Sequence, residues 1–489
     1  MNVKISTDID GWYEMLLKMK TGNSHSDIFF NKLRKTEYSR LDDQRHVYLD
    51  YTGGNIFPKS LVDKHCKFLQ QGVYGNPHSN NPTSQLSGFN LSKARQRVIE
   101  YFNAKDYYCV FTANASAALQ IVGECYRFSN DSILLLTADN HNSVNGIREY
   151  CKNKGGTFSY CSMNEGELSI NEEYLNAELQ RYADKKNKLF AYPAQSNASG
   201  VKHSLSWIKK AQSQGWDVLL DVAAFVPSSK LDLREVSPEF VCMSFYKMFG
   251  YPTGIGCLLI KRSAFGKLKK PWFAGGTVSL VSVNCKNHFL LENLEKFENG
   301  TVNYLNIPAI SQGLDFIDSI GIENIRNRVK ELTSFLIGHI LNLKHRNGVP
   351  LIKIYGSTDI EKRGGTIMMN FFDSNGDQYS YQCIQTAANE RSISLRAGCF
   401  CNPGVDEITS HITAEELNMY FHSRNNADYD DMTSFLGKLR GAIRVSVGIP
   451  TTKGDIERFI LFATRFINKS ISEMDKKTEG LCTLPTLSA

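Results

Sequence analysis

The sequence predicts an α/β protein, with a large and mostly parallel sheet followed by a smaller α+β domain. Two observations carry this. From about Tyr48 to Ile260, short β-rich runs alternate with stretches of helical spacing, which is the pattern of βα units. Near Gly321 the alternation gives way to one long amphipathic helix and then to widely separated strands. Taken in order, Tyr107–Thr112, Ser132–Thr137, Leu189–Tyr192, Val218–Leu220 and Phe240–Phe245 are apolar enough for strands covered on both faces. Ala117–Tyr126 and Ser206–Gln214 keep the helical period between them. Beyond Gly321 a helix from Ile322 to about Leu343 leads into strands at Leu351–Tyr355 and Thr366–Phe371. A Gly- and Arg-rich stretch, a strand at Ala442–Val447 and a final helix at Lys453–Ile467 complete the small domain. The expected division is an N-terminal segment contributing to the small domain (1–45), a large domain (46–320), the small domain (321–472) and a loose polar tail (473–489).

The chain has 489 residues, 42% of them hydrophobic, which is ample for a large core. A formal charge of +6 is spread along the sequence rather than gathered in a stripe, so neither nucleic acid nor a membrane surface is an expected partner. Twelve cysteines are scattered with no small-domain framework. Cys109, Cys125, Cys242 and Cys257 sit in apolar runs and read as reduced core thiols. The close pair Cys399 and Cys401 has no second Cys/His pair at zinc spacing, so no metal site is expected. Met1 to Lys20 lacks an apolar signal core and carries Asp8, Asp10 and Glu14, unlike a transit peptide. No run is long and apolar enough to span a bilayer. The expectation is a soluble protein of a reducing compartment, the cytoplasm.

Polar residues cluster just after the strands, where α/β sheets bind ligands. Lys247 follows the strand ending at Ser244 and precedes the turn Gly250-Tyr251-Pro252-Thr253-Gly254. Alone it is an ordinary surface lysine; its neighbours change that. Asp221 ends the apolar run Trp216–Leu220, where a carboxylate is either a cap or a partner that keeps a ring nitrogen protonated. Phe111–Ala118 is a strand running through a small-residue turn into a helix, and free N–H groups there suit a phosphate, although Ser116 also reads as a simple N-cap. His141, after the strand at Ser132–Thr137, is either structural or laid flat on a bound aromatic ring.

Taken together and in this order, these residues resemble the class V aminotransferase branch of the fold-type I pyridoxal-phosphate (PLP) enzymes. Within it they are most similar to the amino-terminal desulfurase domain of molybdenum cofactor sulfurases. The carrying segments are Tyr48–Tyr51, Tyr74–Ser79, Pro193–Asn197, Ser244–Gly254, Gly275–Val278, Phe297–Thr301 and Leu395–Pro403, which span roughly Tyr48 to Phe459. The resemblance implies that Lys247 carries the cofactor, Asp221 pairs with the pyridinium nitrogen, His141 stacks on the ring and Asn197 lies near the phenolic oxygen and the substrate. It implies that Ser116, Ser244 and the backbone at Ala115 hold the phosphate. It also implies a homodimer in which Thr277 reaches the phosphate of the second subunit. Two departures stand out: many cysteine desulfurases have His before the lysine and Gln or His three positions after the aspartate, whereas this chain has Tyr246 and Ala224.

Leu395–Pro403 supplies the sulfur chemistry. Arg396, Gly398 and Cys401 fit the Arg-x-Gly-x-x-Cys element of similar desulfurases. Arg396 suits a bidentate grip on an amino acid's carboxylate, or else makes a surface ion pair. Cys401 is the expected sulfur acceptor, against the alternative of a small buried hydrophobe; Cys399 is structural or passes sulfur onward. The implied reaction converts L-cysteine to L-alanine, with Lys247 as base at the α-carbon and a persulfide on Cys401, its thiolate favoured by a nearby cation such as Arg396. Gly398 and Gly404 would let the loop move. The competing readings are another class V enzyme (aminotransferase, epimerase or lyase) without sulfur transfer, and an inactive binding scaffold. Full-length relatives in this resemblance continue into a second, cofactor-binding domain. This sequence ends at Ala489, so no such domain is expected within it, and a separate acceptor protein or molybdenum cofactor-binding protein is the expected partner.

Overall fold

The computed structural model describes residues 25–478 and Cys482. Its described residues build a seven-stranded sheet from β1 (Tyr107–Thr112), β2 (Ser132–Thr137), β3 (Thr157–Cys161), β4 (Asn187–Pro193), β5 (Asp217–Asp221), β6 (Phe240–Ser244) and β7 (Gly256–Lys261). The spatial order is β1-β7-β6-β5-β4-β2-β3. Strand β7 is antiparallel to both its neighbours, and every other pairing in the sheet is parallel. Two reversals cancel, so β1 points the same way as β2 to β6. The carboxyl ends of all six therefore meet at one edge. Period-2 alternation divides the core between the faces: Ile133 and Leu135 of β2 join one apolar cluster, Leu134 and Leu136 the other. β3 lies at the sheet edge with Thr157 and Phe158 exposed, so it lacks the continuous apolar run that marks its neighbours.

A small hairpin, β8 (Val278–Val281) with β9 (His288–Leu290), projects from the large unit. The second sheet contains β10 (Ile352–Tyr355), β11 (Thr366–Phe371), β12 (Arg396–Gly398) and β13 (Ala442–Ser446), in the antiparallel order β10-β11-β13-β12.

Helices pack on these layers: α1 (His25–Glu37), α2 (Pro82–Tyr101), α3 (Ala115–Cys125), α4 (Asn142–Asn145), α5 (Ser206–Gln212), α6 (Tyr246–Phe249), α7 (Pro308–Ile320), α8 (Ile322–Asn342), α9 (Tyr381–Asn389), α10 (Pro403–Thr409) and α11 (Lys453–Ala463). Helix α8 buries Ile325, Val329, Leu332, Leu336 and Ile340, a stripe at three- and four-residue spacing. Buried charges join α1 to this region. Arg34 donates to Pro450 O (2.7 Å) and Asp455 (2.7 and 3.2 Å), and Arg328 of α8 pairs with Asp27 at 2.5 Å. Residues 1–24 of the expected N-terminal segment lie outside the described residues.

The expected loose tail needs correcting over its described part. Ile471–Thr478 is a helix, and Cys482 is buried and joined by a disulfide to Cys383 of α9. Polar composition hid this because few apolar side chains, Met474 and Cys482 with the partly buried Ile471, join the core here. The remaining tail positions, 479–481 and 483–489, lie outside the described residues. Cys109, Cys125, Cys242 and Cys257 are free and buried, as core thiols.

Candidate active site

A cavity of ≈ 320 Å³ opens at the carboxyl edge of the large sheet, and Ala115, Ser116, His141, Asn197, Asp221, Ser244 and Lys247 all line it. Strand ends separated by more than a hundred residues thus converge on one volume. Its anion end is built on the N-terminus of α3. Asn114 caps this helix by accepting from Ala117 N (2.9 Å), Ala115 N donates to Ser244 Oγ (2.8 Å), and the Ser116 and Ser143 hydroxyls lie 2.6 Å apart. Ser143 belongs to this cradle and was missed in the sequence, where only its place just after His141 could have flagged it. Gly256 permits the closeness: a Cβ there would lie 2.6 Å from both Asn114 C and Met243 O.

Lys247 sits on the single turn α6, directly after β6, with Asn55 Nδ2 holding the turn through Met248 O (2.9 Å). Burial pushes its ammonium below the ordinary lysine value of 10.5; the negative Asp221 opposes this and the positive Arg444 reinforces it. Asp221 ends β5 and accepts from Ala223 N at 2.9 Å. His141 caps α4, its Nδ1 accepting from Ser143 N (3.1 Å). A ring nitrogen that accepts is unprotonated, in keeping with burial lowering the imidazole's proton affinity.

The loop from β12 to α10 is bonded to Asn142 and to the lining residue Asn197. Cys401 is exposed, and its carbonyl accepts from Asn142 N (2.7 Å), next to His141. Phe400 and Cys401 are consecutive non-glycine residues in the left-handed region (φ 57° and 54°), a strained conformation held by side chains around it. Asn197 Nδ2 donates to Phe400 O (2.7 Å), and Asn402 Nδ2 donates to Asp139 O (2.7 Å) and Asn197 Oδ1 (3.0 Å). Cys399 is half-buried; burial pushes its thiol up while the Cys401 N–H and Arg440 pull it back.

At four positions the structure shows contacts other than the expected ones. Asn197 lines the cavity, but its amide is engaged with Phe400 O and Asn402, so in this arrangement it positions the cysteine loop rather than a phenolic oxygen or a substrate. Arg396 turns its fork on Asp50, with Nε and Nη2 at 3.0 and 2.6 Å from Oδ2, the ion-pair alternative. Thr277 is fully buried, its hydroxyl bonded to Ala274 within its own turn (2.8 and 2.9 Å). Gly404 is no hinge: a Cβ there would collide with the Ala138 carbonyl, so this glycine is required for close packing. Changing Gly404 to Ala should therefore destabilise by about 1–3 kcal/mol and displace Cys401. Urea denaturation measures the first effect and the rate of Cys401 alkylation by iodoacetamide the second.

Arg444 is a second residue that the sequence did not single out. It stands in the middle of buried β13, donates to Asn197 O (2.9 Å) and Asp50 Oδ1 (2.9 Å), and leaves its buried Nε without a partner among the described residues. Burial lowers the proton affinity of this guanidinium. A charged residue inside the apolar run Ala442–Val447 was the available signal. Asp50 thus bridges two arginines, one half-exposed and one buried. Asp50→Asn strands the buried one, so a loss of about 3–5 kcal/mol in unfolding free energy is expected by chemical denaturation. Arg444→Met in the same background should recover much of it.

A partly buried lysine with an adjacent carboxylate and a helix-terminus anion cradle, all at the carboxyl edge of an α/β sheet, define a lysine-anchored cofactor site. The residues fit PLP: the amine is desolvated, the carboxylate is placed by β5, and the cradle offers backbone and hydroxyl donors. Comparison with known proteins places the chain within one family. The chain belongs to the aminotransferase class-V family, whose model matches residues 47–459. It is 33% identical to a molybdenum cofactor sulfurase of Oryza sativa subsp. japonica over 88% of this chain and 57% of that protein. It is also 33% identical to a molybdenum cofactor sulfurase of Homo sapiens, over 88% of this chain and 50% of that protein. The chain therefore spans only about half of these relatives' length. Among solved structures, the apo cysteine desulfurase of Thermococcus onnurineus NA1 superposes with a TM-score of 0.74 at 21% identity, covering 89% of this chain and 97% of that one. The fold is accordingly the fold-type I architecture of the desulfurases. No helix among the described residues is long and apolar enough to cross a membrane.

Proposed function

We propose that the protein is a PLP-dependent cysteine desulfurase that converts L-cysteine to L-alanine and carries the sulfur as a persulfide on Cys401. One observation supports this above the rest: the exposed Cys401 sits on a loop tied to the wall of the Lys247 cavity, its carbonyl accepting from Asn142 N beside His141 and the Phe400 carbonyl accepting from the lining residue Asn197. An aminotransferase or epimerase would have no need of it.

Bound in the cavity, PLP supplies an electron sink for the charge left when the substrate's α-carbon loses its proton. The residues do the rest. Lys247, neutral at a pH where a free lysine is not, takes the α-proton and later returns one to the product. Asp221 keeps the ring nitrogen protonated, His141 covers the ring, and Ser116, Ser143, Ser244 and Ala115 N hold the phosphate. Arg444, with its unpartnered Nε, is the candidate for the substrate carboxylate; Arg396 can join it by leaving Asp50. The Cys401 thiolate attacks the substrate's sulfur, so that an S–S bond forms as the C–S bond breaks and alanine departs.

The working unit in this reading is a cytoplasmic homodimer. A broad apolar surface supports the dimer: Leu280, Val283 and Phe289 of the β8–β9 hairpin are 61%, 89% and 67% exposed, and Trp272 and Phe273 lie nearby in sequence, also exposed. The free thiols support a reducing compartment, with Cys383–Cys482 standing against it. The acceptor is molybdenum cofactor held by a separate protein or domain, a reading that rests on the relatives alone.

Product analysis tests the reaction. Cysteine with a reductant should give alanine and sulfide one for one, and without reductant the Cys401 peptide should gain one sulfur atom by mass spectrometry. Pyruvate and ammonia in place of alanine would make the protein a lyase. Labelled sulfur chased onto a molybdenum cofactor-binding protein tests the acceptor.

A further inference from the structure

Away from the active site, a narrow cleft of ≈ 20 Å³ lies between α8 and the segments around Lys202, Ser228 and Glu361–Gly364. Four cations line it: Lys202, Arg326, Lys330 and Arg363. Two carboxylates answer them, Glu361 on Lys330 and Glu323 on Arg326 at 3.5 Å. Among the described residues the other two cations make no ion pair, and Glu361 and Glu323 act on Lys202 only at longer range. Arg363 is 3% exposed and spends its Nη atoms on carbonyls only, Ser357 O (2.6 Å), Ser199 O (3.0 Å) and Thr366 O, while its Nε has no partner among the described residues. Lys202, in backbone contact with this stretch through Lys362 O (2.9 Å), has its Nζ 5.8 Å from the Phe225 ring centroid and no hydrogen-bonded carboxylate among the described residues.

Unpaired buried charge is costly, and side-chain or backbone dipoles offset it only in part. The electrostatics show the strain. Burial, with Arg326 next in size, pulls the Lys202 ammonium down to about 8. Burial alone takes Arg363 down to about 10. Both conditions are relieved by a negative ligand in the cleft.

We propose that this cleft is a binding site for a phosphate-type oxyanion, either inorganic phosphate or the phosphate end of a monoester. The space admits about one water-sized group, so only the outer oxygens enter, between Lys202 and Arg363, and the remainder of the ligand stays in solvent beside Arg326 and Lys330. A phosphate accepts several charge-assisted hydrogen bonds at once, which matches a site rich in N–H donors. The inference is independent of the desulfurase reading, because none of these side chains lines the Lys247 cavity.

Thermal unfolding of the PLP-loaded protein tests it, comparing inorganic phosphate with sodium chloride at matched ionic strength. A saturable rise in Tm of about 2–4 °C is expected with phosphate and not with chloride, while the cofactor's absorbance stays constant. Methyl phosphate distinguishes the sources: an equal rise means that an ester end suffices, and no rise means that the free ion is the ligand. Lys202→Met should remove the response, and so should Arg326→Gln, an exposed change that leaves folding intact. The proposal falls if chloride gives the same rise, if Arg326→Gln keeps the full response, or if the rise comes with loss of the cofactor band.

Discussion

Replacing Lys247 by alanine is expected to remove the visible absorbance of bound PLP and to cut alanine formation by about 10⁴-fold or more, since one residue is both anchor and base. The structure explains why no neighbour rescues it. Lys247 is the one lysine among the described residues that line the cavity, so no second amine stands ready to take its place. Its desolvation predicts the pH dependence. The group's pKa is lowered from 10.5, so the neutral, proton-accepting form is lost only as pH falls through that lowered value. Activity limited by this base should therefore rise with pH through a midpoint below 10.5. Asp221 favours the charged form, so Asp221→Asn should move that midpoint lower still while reducing the rate. An intact PLP band in Lys247→Ala, confirmed after dialysis, would remove the lysine from its role.

Replacing Cys401 by serine should leave the PLP band intact and lower alanine release from cysteine, with a reductant present, by about 10³-fold or more. Serine preserves the loop. The contacts that hold this segment run through the Cys401 and Phe400 carbonyls and the Asn402 amide, none of which involves the thiol. What is lost is the polarizable nucleophile that must accept sulfur, because a hydroxyl is not ionised at neutral pH and does not form the S–S bond. The two variants separate the halves of the chemistry: one abolishes cofactor binding, the other only the sulfur step. Unchanged turnover in Cys401→Ser would leave a PLP enzyme of another reaction type.

Much of the fold was legible because buried strands and amphipathic helices write their periodicity into adjacent residues. Ser132–Thr137 and Thr366–Phe371 fall where the apolar runs place them, since both are covered on their two faces. Edge strand β3, half exposed, has no such run and was not anticipated. The cavity residues Lys247, Asp221, His141 and Ser244 were legible for a related reason. A polar residue directly after an apolar strand marks the sheet's carboxyl edge. Ser143 carried no mark beyond its place just after His141, and its role emerges from lying 2.6 Å from Ser116.

By itself the sequence determined most of the buried strands, which way their polar ends face and which family supplies the lysine, carboxylate and thiol, because each rests on short-range pattern. Tertiary structure decided the partnerships of charge and amide. Arg396 takes Asp50, Arg444 enters the site from a strand 48 residues further on, and Asn197 serves the cysteine loop. Hydrogen bonds and ion pairs form between whatever groups the folded chain brings within about 3 Å, and that proximity across hundreds of residues leaves no trace in local spacing.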